Sequence, residues 1–330
     1  MHVLIVGMLN EVTFILQNLD QRNVHVQGII SPEGPWLDHF TLNFAGGYIV
    51  YPYELMQQTL LDVYYDYVIC REDYVNDIAQ YGVSKKKILN CTMMFNYPWY
   101  YTDYLYRFKQ FDELNKTKKL HNYKVLILGT SYAERGCHVE YFRLPAISLA
   151  RPNMDFYYSL QILKRMAAYK DFALEYLVFQ ISPYCFHFNP SRGNDPFYTI
   201  WRFMVGLGDT HDYFLSAAEF RGMFNDNFRD ACQKSVEEIL SKPYDFNVIG
   251  GHTDMKIDTK ARMSNVKSVE AWNRKYYPVT KSENIGYLKE TLKLCKAKRI
   301  TPILLMYPHT PISVKIFNKR ILNETRCLIE

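Results

Sequence analysis

The sequence predicts an α/β protein built from two parallel β-sheet domains in succession. Short apolar runs alternate with segments of helical periodicity along most of the chain. These runs are continuous rather than alternating with polar residues, the pattern of strands covered on both faces. The series halts in a charged stretch near residue 107 and begins again near residue 122.

Taken in order, Val3–Val6 is an apolar run ending in Gly7, and residues 11–19 follow with Phe14, Ile15 and Leu19 at helical spacing. Residues 24–30 form a second strand and 66–70 a third. Residues 75–81 form a short helix closed by Gly82, and Ile88 and Leu89 a further strand edge. The stretch 107–122 holds Lys109, Asp112, Glu113, Lys116, Lys118 and Lys119, too polar for a core strand, and is expected as a linker. Strands resume at 125–128, 146–149, 177–181 and 300–306, with helices at 156–168 and 282–297, the latter capped by Ser282. About one hundred residues from Pro183 to Lys281 are too many for a structureless loop and should carry helices, notably within 214–240. The expected division is therefore 1–106, a linker at 107–121, and 122–330 with a cap insertion at about 184–281.

Composition narrows the function classes. With 330 residues, 48% hydrophobic content, 28 Tyr and 20 Phe, the chain can fill two cores. A net charge of +5, with basic and acidic residues interspersed, offers no phosphate-binding stripe, so nucleic acid is not expected as a partner. No apolar run reaches the roughly 18–20 residues that span a bilayer, and the opening MHVLIVG reads as a buried strand rather than a signal sequence. The seven cysteines lack CxxC spacing, and no HxxxH or HExxH pattern occurs, so neither a disulfide framework nor a metal is expected. No cofactor is expected. A cytoplasmic location is the simplest reading, and the oligomeric state is open.

Two strand ends invite ligands. At the first, Gly7 sits where a dinucleotide fingerprint begins, but Leu9 and Val12 stand in place of its other glycines. Ser31 stands where an acidic residue would hold a ribose. A tight turn serving the fold alone is expected there. At the second, YKVLILGTSYAERG places Ser131 after a buried strand and before a helical turn, at the sheet edge where α/β proteins bind ligands. Backbone N–H groups of such a turn can hold an oxyanion; the alternative is that Ser131 merely caps the next helix.

The segment VLILGTSYAERG resembles the first block of the SGNH/GDSL hydrolase superfamily, with Thr130 in place of the usual aspartate before the serine. AISLARPNMDFYYSLQILKRM is similar to the second block of members from bacterial surface-polysaccharide clusters. Residues 1–95, through VLIVG, GII, DYVI, YGV and KKKIL, look like the Rossmann-like N-terminal domains of bacterial sugar-modifying enzymes. The resemblance implies an SGNH, flavodoxin-like three-layer second domain with Ser131 as nucleophile. Oxyanion donors would be the Ser131 amide, an amide near Ala150, and Asn153, which can also be a simple turn residue. Thr130, Tyr132, Ser182 and Tyr184 would contact substrate. The second-block glycine appears as Ala150 or Arg151, and Ser182 stands where the third-block asparagine belongs.

The family's Asp-x-x-His is absent beyond residue 300, which leaves open a chain that continues further. His309, just after the last strand, is the first candidate for the base, with His138, His187, His211 and His252 as alternatives. The implied function is a serine-dependent esterase or acyltransferase acting on an O-acylated sugar or surface-glycan precursor. Tyr184, Phe186, Phe188, Phe197, Tyr198 and Trp201 are available to stack on sugar rings or to fill the core. The alternatives are a non-catalytic glycan-binding protein and a sugar-modifying transferase centred on the first domain.

Overall fold

The apolar run that opens the chain forms strand β1 (His2–Val6), with Val3, Leu4, Ile5 and Val6 all buried. The computed structural model describes residues 1–33, 47–96, 103–241, 270, 273–307 and 311–329. It divides into two units, each drawn from two stretches of chain: Met1–Lys109 with Ser191–Pro243, and Gln110–Pro190 with Tyr244–Glu330.

In the first unit β1 lies between β2 (His25–Ser31) and β4 (Tyr67–Cys70). With β3 (Val50–Pro52) and β5 (Ile88–Asn90) these make a parallel sheet in the order β3-β2-β1-β4-β5. On one face Leu4, Val6, Ile30, Val68 and Cys70 pack against Met56, Val75 and Ile78 from the crossover helices. Burial on both faces is why these strands read as unbroken apolar runs. Gly82, at φ +88°, ends the helix Glu72–Gln80 as expected. The short edge strand β3 was not foreseen; three half-buried residues ending in proline carry no strand period.

Two expectations about the division need correction. The stretch 107–121 is not a linker: Asp103–Lys116 is one helix with Tyr104, Phe108, Phe111 and Leu114 buried. Lys109, Asp112, Glu113 and Lys116 lie on its more exposed face while Arg107 pairs with Asp103 in the buried one, so the polarity marked an amphipathic helix rather than a gap. Nor is the insertion 184–281 a single cap on the second unit, because residues 191–243 complete the first. Asp195 caps the helix Pro196–Leu207, with Pro196 at its first position and Gly208 (φ +68°) at its end. Phe197, Ile200, Trp201 and Phe203 of that helix are buried, Phe203 against Tyr104 at 5.3 Å. Residues 214–240 hold the two helices Ala217–Gly222 and Asp226–Ser241. They are tied back by Asp20 N donating to Met223 O (2.8 Å) and Asn225 Nδ2 donating to Gln17 O (2.6 Å).

The second unit holds β6 (Val125–Leu128), β7 (Ala146–Ser148), β8 (Tyr176–Ile181) and β9 (Thr301–Met306), parallel and ordered β7-β6-β8-β9. Asp155 caps the helix Phe156–Met166 through Tyr158 N at 2.9 Å. The long helix begins at Pro278, four residues before the expected cap Ser282, because proline at the first position needs no N–H partner. Inside it, buried Asn284 reaches out, its Nδ2 donating to the carbonyls of Cys185, Phe186 and Phe188 at 3.2, 3.0 and 3.0 Å. That one side chain fixes the turn after β8. Among the described residues no helix is long and apolar enough to cross a membrane.

Candidate functional site

Because all four strands of the second sheet are parallel, the segments after β6, β7 and β8 emerge at one edge. The chain order departs from β6 in both directions, so the crevice beside β6 is the switch point where open α/β sheets bind ligands.

After β6 the backbone turns at Gly129, φ +141°. A Cβ there would lie 2.5 Å from Gln180 Cβ, so only glycine lets β6 end this close to β8. Thr130 then donates twice to Gln180 Oε1, from its amide (3.0 Å) and its hydroxyl (2.8 Å). Its carbonyl accepts from Ala133 N and Glu134 N, starting the helix Ser131–Gly136. Ser131 is the first residue of that helix, half-buried, and its hydroxyl has no hydrogen-bond partner among the described residues. The expected aspartate position is thus filled by a threonine that braces the turn against β8.

The second wall follows β7. Leu149 N and Arg151 N donate to Ile127 O and Gly129 O, both at 3.0 Å, extending the ladder beside the serine turn. Buried Arg151 sits 3.2 Å from Glu134 Oε1 and pins this loop to the serine's helix. The loop then turns through Asn153 at φ +64°, a conformation asparagine tolerates better than most residues. Since the Arg151 amide is already bonded, it cannot be the oxyanion donor expected near Ala150.

The third wall follows β8. Cys185 donates from both its amide (3.2 Å) and its thiol (2.8 Å) to Ser182 O, forming the turn that presents Tyr184 and His187. Together these walls enclose a cavity of about 300 Å³ lined by Thr130, Ser131, Tyr132, Asn153, Ser182 and Tyr184. All six are residues the sequence singled out. Pro152, Cys185, His187, Phe188 and Lys275 also line it.

Among the described residues that line the cavity there is no carboxylate, and Lys275 is the charged one. Burial pushes the Tyr184 phenol up to about 12, and its hydroxyl donates to Asn273 Oδ1. Burial likewise pushes the Cys185 thiol up to about 12, so it is protonated and not a nucleophile near neutral pH. His187 is shifted down, chiefly by burial. Ser131 brings its hydroxyl to this cavity from the carboxyl end of central strand β6. Among the described residues no cluster of His, Cys, Asp and Glu could hold a metal.

The histidines separate clearly. His309 and His252 lie outside the described residues. His138 stacks on Tyr141 at 5.5 Å, and His211 sits in the first unit beside Asp212. His187, ranked behind His309 in the sequence, lines the cavity. The missed signal was its place a few residues beyond β8, at the same sheet edge as Ser131. Of the aromatics considered for sugar stacking, Tyr184 and Phe188 reach the cavity. Phe186 is core beneath Phe156 (5.0 Å), and Phe197 and Trp201 are core of the first unit.

The first strand end carries a different arrangement. Leu9 N donates to Glu33 Oε2 (2.6 Å) and Met8 N to Glu11 Oε2 (2.8 Å), while Arg71 pairs with Glu11 at 2.7 Å. The N–H groups that would cradle a pyrophosphate are taken by the protein's own carboxylates, as the broken fingerprint leads one to expect. No family model, curated protein or solved structure matches the chain.

Proposed function

We propose that the second unit is an SGNH-like serine esterase or acyltransferase acting on an O-acylated sugar or surface-glycan precursor. The observation that carries this is Ser131, unpartnered at the carboxyl end of central strand β6, in a cavity shared with Asn153 and Ser182. The β7-β6-β8-β9 order supports a flavodoxin-like reading of this unit, and β3-β2-β1-β4-β5 a Rossmann-like reading of the first. Carboxylates at the first helix N-terminus weigh against the alternative of a nucleotide-sugar transferase centred there.

In the proposed reaction Ser131 Oγ bonds to the acyl carbonyl carbon and its proton passes to an imidazole, assigned to His309. The Ser131 amide and the Asn153 side chain hold the oxyanion. Collapse breaks the bond to the sugar oxygen, which takes the proton back. Water or an acceptor hydroxyl then releases the acyl group from the serine.

The test is labelling by a fluorophosphonate probe together with hydrolysis of p-nitrophenyl acetate and acetylated sugars. Wild type should label and turn over; Ser131→Ala should lose labelling and about 10³-fold or more in kcat. His309→Ala should fall similarly, and unchanged activity would reject it as base. Absent labelling with retained glycan binding would instead favour the non-catalytic binding protein.

A further inference from the structure

We propose that His187 serves the Ser131 cavity as a neutral donor, its Nε2–H directed to an acceptor oxygen of the bound acyl group, and not as the base. This rests on the acyl-transfer reading of the cavity for the identity of its target, but not for its tautomer. The ring is held on both sides. Asn284 fixes the turn that carries it, and Tyr276 packs against its face at 4.8 Å.

The tautomer follows from Nδ1. Tyr277 N donates to Nδ1 at 3.1 Å, which requires a lone pair there and leaves the proton of the neutral ring on Nε2. The Tyr277 carbonyl lies farther from Nδ1, at 3.3 Å, and accepts from Lys281 N at 2.9 Å in the first turn of the helix Pro278–Lys298, whereas the backbone N–H always carries its proton and points at Nδ1. Every hydrogen-bond contact of the ring among the described residues is made at Nδ1, and His187 lines the cavity, which leaves Nε2 for a bound group. A serine base needs the opposite arrangement, with the proton on Nδ1 and the lone pair on Nε2.

The surroundings disfavour the imidazolium as well. Burial acts most strongly against a positive ring, and Lys281 and Arg320 act the same way, opposed by the Tyr277 backbone contact; Lys275 stands on the cavity lining. Glu324, whose charge favours a positive His187 ring, is shared between Lys281 (2.5 Å) and Arg320 (2.9 Å). The Cys185 thiol is neutral, Tyr276 is tied to Arg320, and the positive end of a 21-residue helix begins beside the ring. A neutral imidazole N–H strengthens its hydrogen bond as charge grows on a carbonyl oxygen without giving up its proton.

The decisive experiment is NMR of the full chain carrying ¹⁵N-histidine. His187 should show a lone-pair Nδ1 and a protonated Nε2 at neutral pH, and should titrate below a free imidazole. A protonated Nδ1 at neutral pH, or titration at or above the pH of a free imidazole, would overturn the proposal whether or not the protein turns over any ester. Kinetics place the donor: His187→Gln, which keeps an N–H donor, should retain most of kcat for p-nitrophenyl acetate. His187→Ala should lose about 10²–10³-fold with KM little changed. Equal loss in both variants, with thermal melts showing both folded, would refute the donor role. Failure of Ser131 to label in wild type would be a failure of the acyl-transfer reading alone.

Discussion

A few atoms decide how the serine turn is built. Gly129 has a backbone conformation that L side chains rarely adopt, and a methyl group there would press on Gln180 and, at 3.2 Å, on Ala133 Cβ. Gly129→Ala should therefore cost about 2–4 kcal/mol, read by chemical denaturation, and should slow fluorophosphonate labelling because the Thr130–Gln180 brace moves with it. A midpoint indistinguishable from wild type would remove the argument. Thr130, Ser131 and Asn153 were legible in the sequence because a strand, a tight turn and a helix start are local features. The state of His187 was not, because its tautomer is set by the backbone of Tyr277, ninety positions away.

Secondary-structure elements were legible in proportion to how uniformly they are buried. β6 and β8 are covered on both faces and stand out as apolar runs, whereas the helix Asp103–Lys116 hides Phe108, Phe111 and Leu114 among charges. Ion pairs link elements that no local pattern connects. Glu324, on the helix Lys319–Ile329, binds Lys281 in the first turn of the helix that positions His187. Its hydrogen bond to Lys281, followed by that to Arg320, holds the carboxyl below its usual 4.5. A depressed carboxyl stabilises the fold above its unfolded pKa and loses that contribution as pH falls through the folded one. Glu324→Gln should accordingly lower stability by about 0.5–1 kcal/mol at neutral pH, and the gap to wild type should close below the usual carboxylate range. Thermal melts of the two proteins from neutral to acid pH would show it; a gap that persists undiminished in acid would count against the ion pair.

For the molecule as a whole, the chain order of its parts conceals how they fold. Reading along the sequence places one domain before residue 107 and all that follows 122 in another, since nothing in the residues 191–243 marks them as belonging with the first sheet. The structure interleaves them: the chain leaves the first unit at Lys109 and returns at Ser191. The returning helices are structural, not decorative. Phe197, Trp201, Phe203, Phe220 and Phe224 are each at most 4% exposed, and Leu19 forms an antiparallel bridge with Phe224. Tyr104 packs so closely on Gly206 that a Cβ there would lie 2.1 Å from Tyr104 Cβ. Fragment 1–106 on its own would leave the apolar surface under these side chains in water, at a cost of roughly 1.5–3 kcal/mol for each large side chain re-exposed. Against a typical domain stability of about 5–15 kcal/mol, losing several such contacts is enough to unfold it. Expressed alone, 1–106 should be insoluble or bind hydrophobic dye and unfold without cooperativity, while the full chain gives a sharp transition. A soluble 1–106 fragment with a cooperative melt and protected amides in β1 and β4 would show that the first sheet stands without residues 191–243.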